Sequence, residues 1–503
     1  MKYISTRGQS VPVSSGTAIL RGLADDGGLY MPDKLPMLDM AAIKALCAAS
    51  YAERAARVLH LFLNDDYSYD ELLKDAEAAY SGDRFFGGAA PITALGDRLR
   101  VLELWHGPTA AFKDMALQIM PRLLSRALRK KGEKNQALIL VATSGDTGKA
   151  ALEGYSDVSG VKIMVFYPAG GVSDVQKLQM ATQTGANVAV QAVVGNFDDT
   201  QNGVKRIFGD ETMRAELKER GYILSSANSI NWGRLVPQIV YYISAYCDLI
   251  NSGSIAPGGE MDVCVPTGNF GNILAAYIAK KMGLPINRLI CASNRNKILT
   301  DFFETGIYDR NRHFHMTMSP SMDILISSNL ERLLYLSAGA DETARYMREL
   351  SDIGRYQITP ALLETLRRDF TGMWCDESET AAEIKSVWER YNYLCDTHTA
   401  VGLHCAEKYT ARCGSREMSV CGNRILLAVS TASAYKFAGD VYRSLAGDMG
   451  KVKELDALQA LSDYTGTPIP APLDGIAQRK IRFDPNNSIE ADKMEDSVLA
   501  FAD

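Results

Sequence analysis

Between about residue 95 and about residue 295, apolar runs of six to eight residues alternate with longer stretches whose apolar positions recur every three or four. The short runs predict strands and the longer ones amphipathic helices, and their alternation predicts a mostly parallel sheet flanked by helices, an α/β fold. The strands expected are RLRVLEL (98–104), ALILVAT (137–143), KIMVFYP (162–168), NVAVQAVV (187–194), MDVCVPT (261–267) and RLICAS (288–293). Several end in turns rich in Gly, Ser or Thr, and open α/β sheets bind their ligands beyond those carboxyl ends.

The flanks read differently. Residues 1–94 join a Gly-rich turn, GLADDGGLYMP, to helical stretches such as AAIKALCAASYAERAARVLHLFL, and form an N-terminal lobe. We place a first α/β region at 95–260 and a second at 261–465, the latter more helical but holding one further buried strand, NRILLAVST. Residues 466–503 follow a Pro-rich start and are expected to wrap the surface as a tail.

Composition narrows the function. In 503 residues, 47% hydrophobic and 23% charged content belong to an ordinary soluble protein, and a formal net charge of −6 with no clustered basic face argues against nucleic acid. No apolar run has membrane-spanning length and the N-terminus lacks a signal-peptide core, so a cytoplasmic location is expected. Nine cysteines without a CxxC pair read as reduced thiols, neither a disulfide framework nor a zinc site. His313 and His315 could ligate a metal, but no carboxylate or cysteine cluster stands beside them, and no metal is expected.

Candidate chemistry lies in the loops. WHGPTAAFKD (105–114) ends in Lys113, at the expected start of a long helix through Met115, Ile119, Leu123 and Leu124. A helix N-terminus disfavours an ammonium and pushes a lysine towards the neutral amine that attacks carbonyls; an ordinary surface lysine is the other reading. ATSGDTGKA (142–150) resembles a phosphate-binding P-loop but has Thr143 where a glycine is required and Ala150 where Ser or Thr is required. What remains, Ser144, Asp146 and Thr147 at a helix N-terminus, suits an anion or simply caps the helix. PTGNFGN (266–272) follows a strand and opens a helix, so Gly268 and Gly271 permit a nest of backbone N–H groups for phosphate. SANSINWGRL (226–235) offers Asn228, Ser229, Asn231 and Arg234 for an anion, or a capped helix with a surface arginine. VSTASAYKF (429–437) is one more hydroxyl-rich strand end. One lysine able to form an imine, a phosphate nest and extra anion seats point to pyridoxal 5'-phosphate chemistry.

Taken in order, STRG, GLADDGGLYMP, HGPTAAFKD, ATSGDTG, NSINWGRLVPQIVYY, PTGNFGN, DTHTAVG and STASAYKF resemble the threonine synthases across nearly the whole chain. That family has the tryptophan-synthase β-like fold. The resemblance implies two open, mostly parallel sheet domains with the cofactor in the cleft between them, plus an N-terminal lobe, in a monomer or homodimer. It implies that Lys113 holds the cofactor as a Schiff base and that Gly268, Asn269, Phe270, Gly271 and Asn272 cradle its phosphate. Thr431 would face the pyridine nitrogen, Ser144, Asp146 and Thr147 the substrate carboxylate and ring hydroxyl, and Asn228, Ser229, Asn231 and Arg234 the substrate phosphate. The implied reaction converts O-phospho-L-homoserine and water to L-threonine and phosphate. One departure stands beside Thr431, where Ser433, Ala434 and Tyr435 replace the family's His-Pro-Ala.

A lyase or dehydratase of the same fold would also need Lys113 and the glycine nest, and would deaminate to a keto acid instead of hydrating. An ATPase is opposed by the broken P-loop. A non-catalytic binding protein would be expected to have lost the lysine or the nest.

Overall fold

The computed structural model describes residues 1–143, 145–170, 172–414, 424–447 and 452–503. Two sheets carry the architecture. One has six strands in the order Phe370–Trp374, Ile286–Ser293, Met261–Pro266, Ile425–Ser430, Leu99–Glu103 and Ile92–Leu95. Its neighbours are parallel except at the Ile92–Leu95 edge. The other has five parallel strands in the order Ser488–Ile489, Val188–Val193, Val161–Pro168, Gln136–Ala142 and Tyr222–Ser225. The inner strands read as continuous apolar runs because helices cover both faces: every residue of Met261–Pro266 is buried.

The N-terminal stretch 41–63 breaks into the helices Met40–Cys47 and Tyr51–Leu63 because Ser50 caps the second one, forming a reciprocal capping box with Glu53. A short two-stranded sheet, Tyr3–Ser5 with Tyr30–Pro32, closes the lobe. The largest apolar cluster runs from Tyr3 and Phe62 through Trp232 to Ile139 and Val263, and so ties the lobe to both sheets. Trp232, fully buried, lies 5.6 Å ring to ring from both Tyr3 and Phe62.

Two expectations are corrected here. The strand Leu99–Glu103, expected in the first α/β region, pairs in parallel with Ile425–Ser430 and belongs to the six-stranded sheet. Its partner lies more than three hundred residues away, so nothing local in RLRVLEL could reveal it. The tail does more than wrap the surface. Ser488–Ile489 extends the edge of the five-stranded sheet against Ala192–Val193, and Met494 and Val498 are buried with Leu138 and Phe166.

Candidate active site

The loop after Leu99–Glu103 runs back along the other strand end of the six-stranded sheet. Phe112 N–H donates to the Thr431 carbonyl at 2.8 Å and Ser433 N–H to the Ala110 carbonyl at 3.1 Å. The turn needs Ala110 in the left-handed region, φ 57°, and the Asp114 carboxylate holds it by accepting from Thr109 N–H at 2.8 Å and Thr109 Oγ1 at 2.7 Å. Asp114 is fully buried, and burial pushes its carboxyl up to about 7. An acid whose folded pKa is raised makes the native state lose stability as pH rises from its ordinary value, about 4, to about 7. Urea midpoints across that range should fall in the parent and fall less in Asp114→Asn.

Beyond Lys113 the long helix expected from the sequence is two pieces, Asp114–Leu117 and Met120–Lys130. Pro121 has no N–H for the Leu117 carbonyl, so the hydrogen-bond ladder breaks there. The break coincides with a close approach by the helix Asp146–Tyr155: a Cβ on Gly154 would lie 1.8 Å from that same Leu117 oxygen. This contact sets Asp146 beside Lys113. Gly154→Ala should therefore cost about 1–3 kcal/mol in a denaturant titration and disturb the site with it.

Lys113 is buried, and its Nζ lies 3.4 Å from Asp146 Oδ2. Burial lowers its pKa; Asp146 opposes this, while Arg234 and Lys436 add to it. The direction matches the expectation from the helix start, but a helical piece of four residues is a minor contributor beside desolvation. The Asp146 carboxylate is held by three donors, Lys436 Nζ at 2.7 Å and Gln176 Nε2 at 2.8 Å on Oδ1, and Lys113 on Oδ2. Its burial favours the neutral acid, yet the lysines and Gln176 outweigh this and hold the carboxyl well below its ordinary range. Asp146, expected with Ser144 and Thr147 to face the substrate carboxylate and the ring hydroxyl, here has its carboxylate taken up by Lys436, Gln176 and Lys113. Ser144 lies outside the described residues.

The long helix Trp232–Asn251 brings Arg234 to the same point. Arg234 is 5% exposed, and its guanidinium donates to the Ala227 carbonyl at 2.9 Å and to Thr147 Oγ1 at 3.4 Å and has no carboxylate partner among the described residues. Burial lowers its pKa to about 10. Asn231 is corrected: it caps this helix by accepting from Gly233 N–H, and its amide donates to the Ile19 and Ser226 carbonyls, which leaves it no capacity for an anion. Asn228 and Ser229 are half-buried, and Ser229 Oγ begins a hydroxyl chain through Ser328 to Asn269 Oδ1, each step 3.4 Å.

The PTGNFGN loop has the form of an anion seat. Phe270 precedes the helix Gly271–Lys281 with φ 66°, and no side chain caps that helix's N–H groups. A non-glycine residue in this region is strained by about 1–2 kcal/mol. Burial of the Phe270 ring against Phe303 and Phe370 offsets the strain. Gly268 admits no side chain, since a Cβ would stand 2.6 Å from the Ser321 carbonyl. The backbone is held from outside by Ser327 Oγ on the Gly268 carbonyl at 2.7 Å and by Asn329 on the Asn269 carbonyl. Asn272 Oδ1 accepts from both Tyr241 and Tyr242 hydroxyls at 2.6 Å, and its buried Nδ2 has no hydrogen-bond partner among the described residues. Uncapped N–H groups, a glycine cradle and an orphaned amide donor fit a phosphate group.

Thr431 is buried at the end of Ile425–Ser430, and its hydroxyl makes no hydrogen bond among the described residues. The stretch where the chain departs from the family gains its own tie, with Tyr435 hydroxyl on the Thr467 carbonyl at 2.7 Å. DTHTAVG acts as a brace: His398 Nδ1 donates to Asp396 Oδ2 at 2.8 Å and its Nε2 accepts from Ser321 N–H at 3.1 Å. The sequence reading missed Gln176, Lys436 and Asn329. Only Lys436 carried a signal, a lysine inside the quoted VSTASAYKF. Away from this site, Cys375, Glu379 and His404 come within 4.8 Å of one another, a grouping that spacing did not reveal. Lys408 holds Glu379 there at 2.7 Å.

Residues 90–422 match the family model described as pyridoxal-phosphate dependent enzyme, and residues 2–80 match threonine synthase N terminus. Threonine synthase-like 1 of Macaca fascicularis is 42% identical over 90% of this chain; the chain spans 60% of that relative's length. The threonine synthase of Schizosaccharomyces pombe is 40% identical, over 81% of this chain and 84% of its own. A crystal structure of pyridoxal-phosphate-bound threonine synthase from Brucella melitensis superposes with a TM-score of 0.87 at 37% identity, covering 100% of this chain and 99% of that one. Lys113 and the PTGNFGN loop both follow strands of the six-stranded sheet, and the chain falls in the class of pyridoxal-phosphate-dependent enzymes. Within that class the chain belongs to the threonine synthase family.

Proposed function

We propose that the protein converts O-phospho-L-homoserine and water to L-threonine and phosphate, the last step of threonine biosynthesis. The observation that carries this reading is Arg234: a buried arginine with no carboxylate partner among the described residues, in contact with Thr147 and close enough to Lys113 to act on its charge, calls for an oxyanion.

Pyridoxal phosphate supplies a ring that accepts negative charge developing at the carbons of a bound amino acid. Lys113 would hold it through its amine, Gly268 to Asn272 would hold its phosphate, and the Thr431 hydroxyl would be the neutral group offered to its ring. Lys113 Nζ, whose charged form burial disfavours, takes the α-proton of the substrate and later a β-proton, and returns one proton at the γ-carbon and the other at the α-carbon. Arg234, Thr147, Asn228 and Ser229 hold the phosphate as its bond to the γ-carbon breaks, and water adds at the β-carbon. Asp146 keeps Lys113 in place. Seven free thiols among the described residues support a reducing, cytoplasmic setting, and none of the described helices is long and apolar enough to cross a membrane.

The test is an assay of the cofactor-loaded protein with O-phospho-L-homoserine, resolving the products by chromatography. Threonine with equimolar phosphate is the expected result. Phosphate with 2-oxobutyrate and ammonia would replace the synthase reading by a lyase, and no turnover would overturn both.

A further inference from the structure

A second lysine shares the site with Lys113. Lys436 lies in the short turn Ala434–Phe437 that follows the strand Ile425–Ser430, and its side chain is fully buried. Its Nζ is 2.7 Å from Asp146 Oδ1 and donates to the Thr109 carbonyl at 3.0 Å. Lys113 Nζ is 3.4 Å from the other oxygen of the same carboxylate. One anion therefore lies between two amines, and its shorter contact is to the amine with no route to solvent.

Three charged groups face Lys113 from other elements: Asp146 on one helix, Arg234 on the long helix and Lys436 on the turn. If all were ionised, one carboxylate would stand against three cations in a buried pocket, and such a pocket sheds charge at the group least compensated. Arg234 stays charged at neutral pH, and Lys436 has the tighter ion pair and a carbonyl acceptor besides. Lys113, with the longer contact, is left to discharge.

We propose that Lys436 is a positioning residue: by engaging Asp146 it denies Lys113 a full counter-ion, and so keeps Lys113 Nζ in the neutral form that attaches the cofactor and moves the substrate's protons. The direction of the pull on Lys113, downward by burial and then by Arg234 and Lys436 against Asp146, agrees with this geometry. The inference rests on the reading of Lys113 as the cofactor lysine.

The measurement is the pH dependence of Lys113 acylation in the cofactor-free protein, by an amine-selective reagent with peptide mass spectrometry. The pH dependence of pyridoxal phosphate loading, followed by absorbance, accompanies it. In Lys436→Met the Asp146 carboxylate turns wholly to Lys113, so the Lys113 midpoint should rise by about one pH unit or more, slowing acylation at neutral pH about tenfold. Lys436→Arg should stay near the parent. Asp146→Asn, which removes the carboxylate and leaves the cations, should move the midpoint down. Opposite shifts from the two losses are the signature, since damaged packing alone would not split by sign. An unmoved midpoint in a Lys436→Met protein that keeps the parent's circular dichroism overturns the proposal, as does a rise in Asp146→Asn, which is decisive even where Lys436→Met does not fold. Borohydride reduction of the loaded protein separates the two readings. A mark on Lys113 with an unmoved midpoint removes only the role of Lys436, whereas a mark on another lysine removes the Lys113 assignment and this inference together.

Discussion

Arg234→Met should raise the KM for O-phospho-L-homoserine by about two orders of magnitude while leaving the substrate-free protein about as stable as the parent. These two effects are opposed for a physical reason. In the free protein Arg234 is 5% exposed and its guanidinium has, among the described residues, only neutral acceptors, the Ala227 carbonyl and Thr147 Oγ1, so its burial is weakly compensated. Replacing it with an apolar side chain of similar length relieves desolvation and loses two hydrogen bonds, changes of similar size and opposite sign. A bound phosphate changes the balance, because the arginine then makes charge-assisted hydrogen bonds that methionine cannot. Thermal melts with and without inorganic phosphate give the check. Phosphate should raise the Tm of the parent by mass action and leave that of Arg234→Met in place. A variant that keeps the parent's KM, or that loses most of its stability without ligand, would remove Arg234 from the substrate site.

The largest effect is expected at Lys113. Lys113→Ala should lower turnover by at least about three orders of magnitude, since it removes the base for both proton transfers together with the cofactor's covalent anchor. The phosphate seat on Gly268–Asn272 does not involve this lysine, so the variant should still bind pyridoxal phosphate, reversibly and without the absorbance of a Schiff base. Because Lys113 is buried in an ion-paired cluster with an Asp146 that prefers ionisation, its loss also leaves that carboxylate to Lys436 and Gln176 alone. Threonine formation near the parent rate in the variant would defeat the reading of Lys113 as the cofactor lysine and general base.

Much of this was legible in the chain. The apolar runs from 137 to 293 stand as strands because a sheet covered on both faces writes itself as uninterrupted Val, Ile and Leu. The glycine turn of PTGNFGN was legible because a tight backbone approach needs glycine where a Cβ would collide, as at Gly268. What escaped were relations between distant segments. Nothing near RLRVLEL specifies a partner at 425–430, and nothing near Leu117 specifies that Gly154 of another helix packs against its carbonyl. Asn231 was misassigned because the residue type that caps a helix also binds anions, and only the positions of Ile19 and Ser226 decide between them. Gln176 carries no local mark, since an amide becomes part of a site only when its neighbours face it with charge.

The pairing of the strands bears on how the protein is made. Leu99–Glu103 emerges from the ribosome early but has to wait for Ile425–Ser430, and the edge strand Val188–Val193 waits for Ser488–Ile489. The six-stranded sheet cannot close before residues 425–430 are made, nor the five-stranded one before residues 488–489. For most of synthesis the nascent chain exposes open strand edges, the surfaces most prone to pair with another chain. A chain broken off before Met494 would hold Lys113 and the PTGNFGN loop but leave Leu138 and Phe166 uncovered by Met494 and Val498. Such a product is a substrate for chaperones before it is an enzyme.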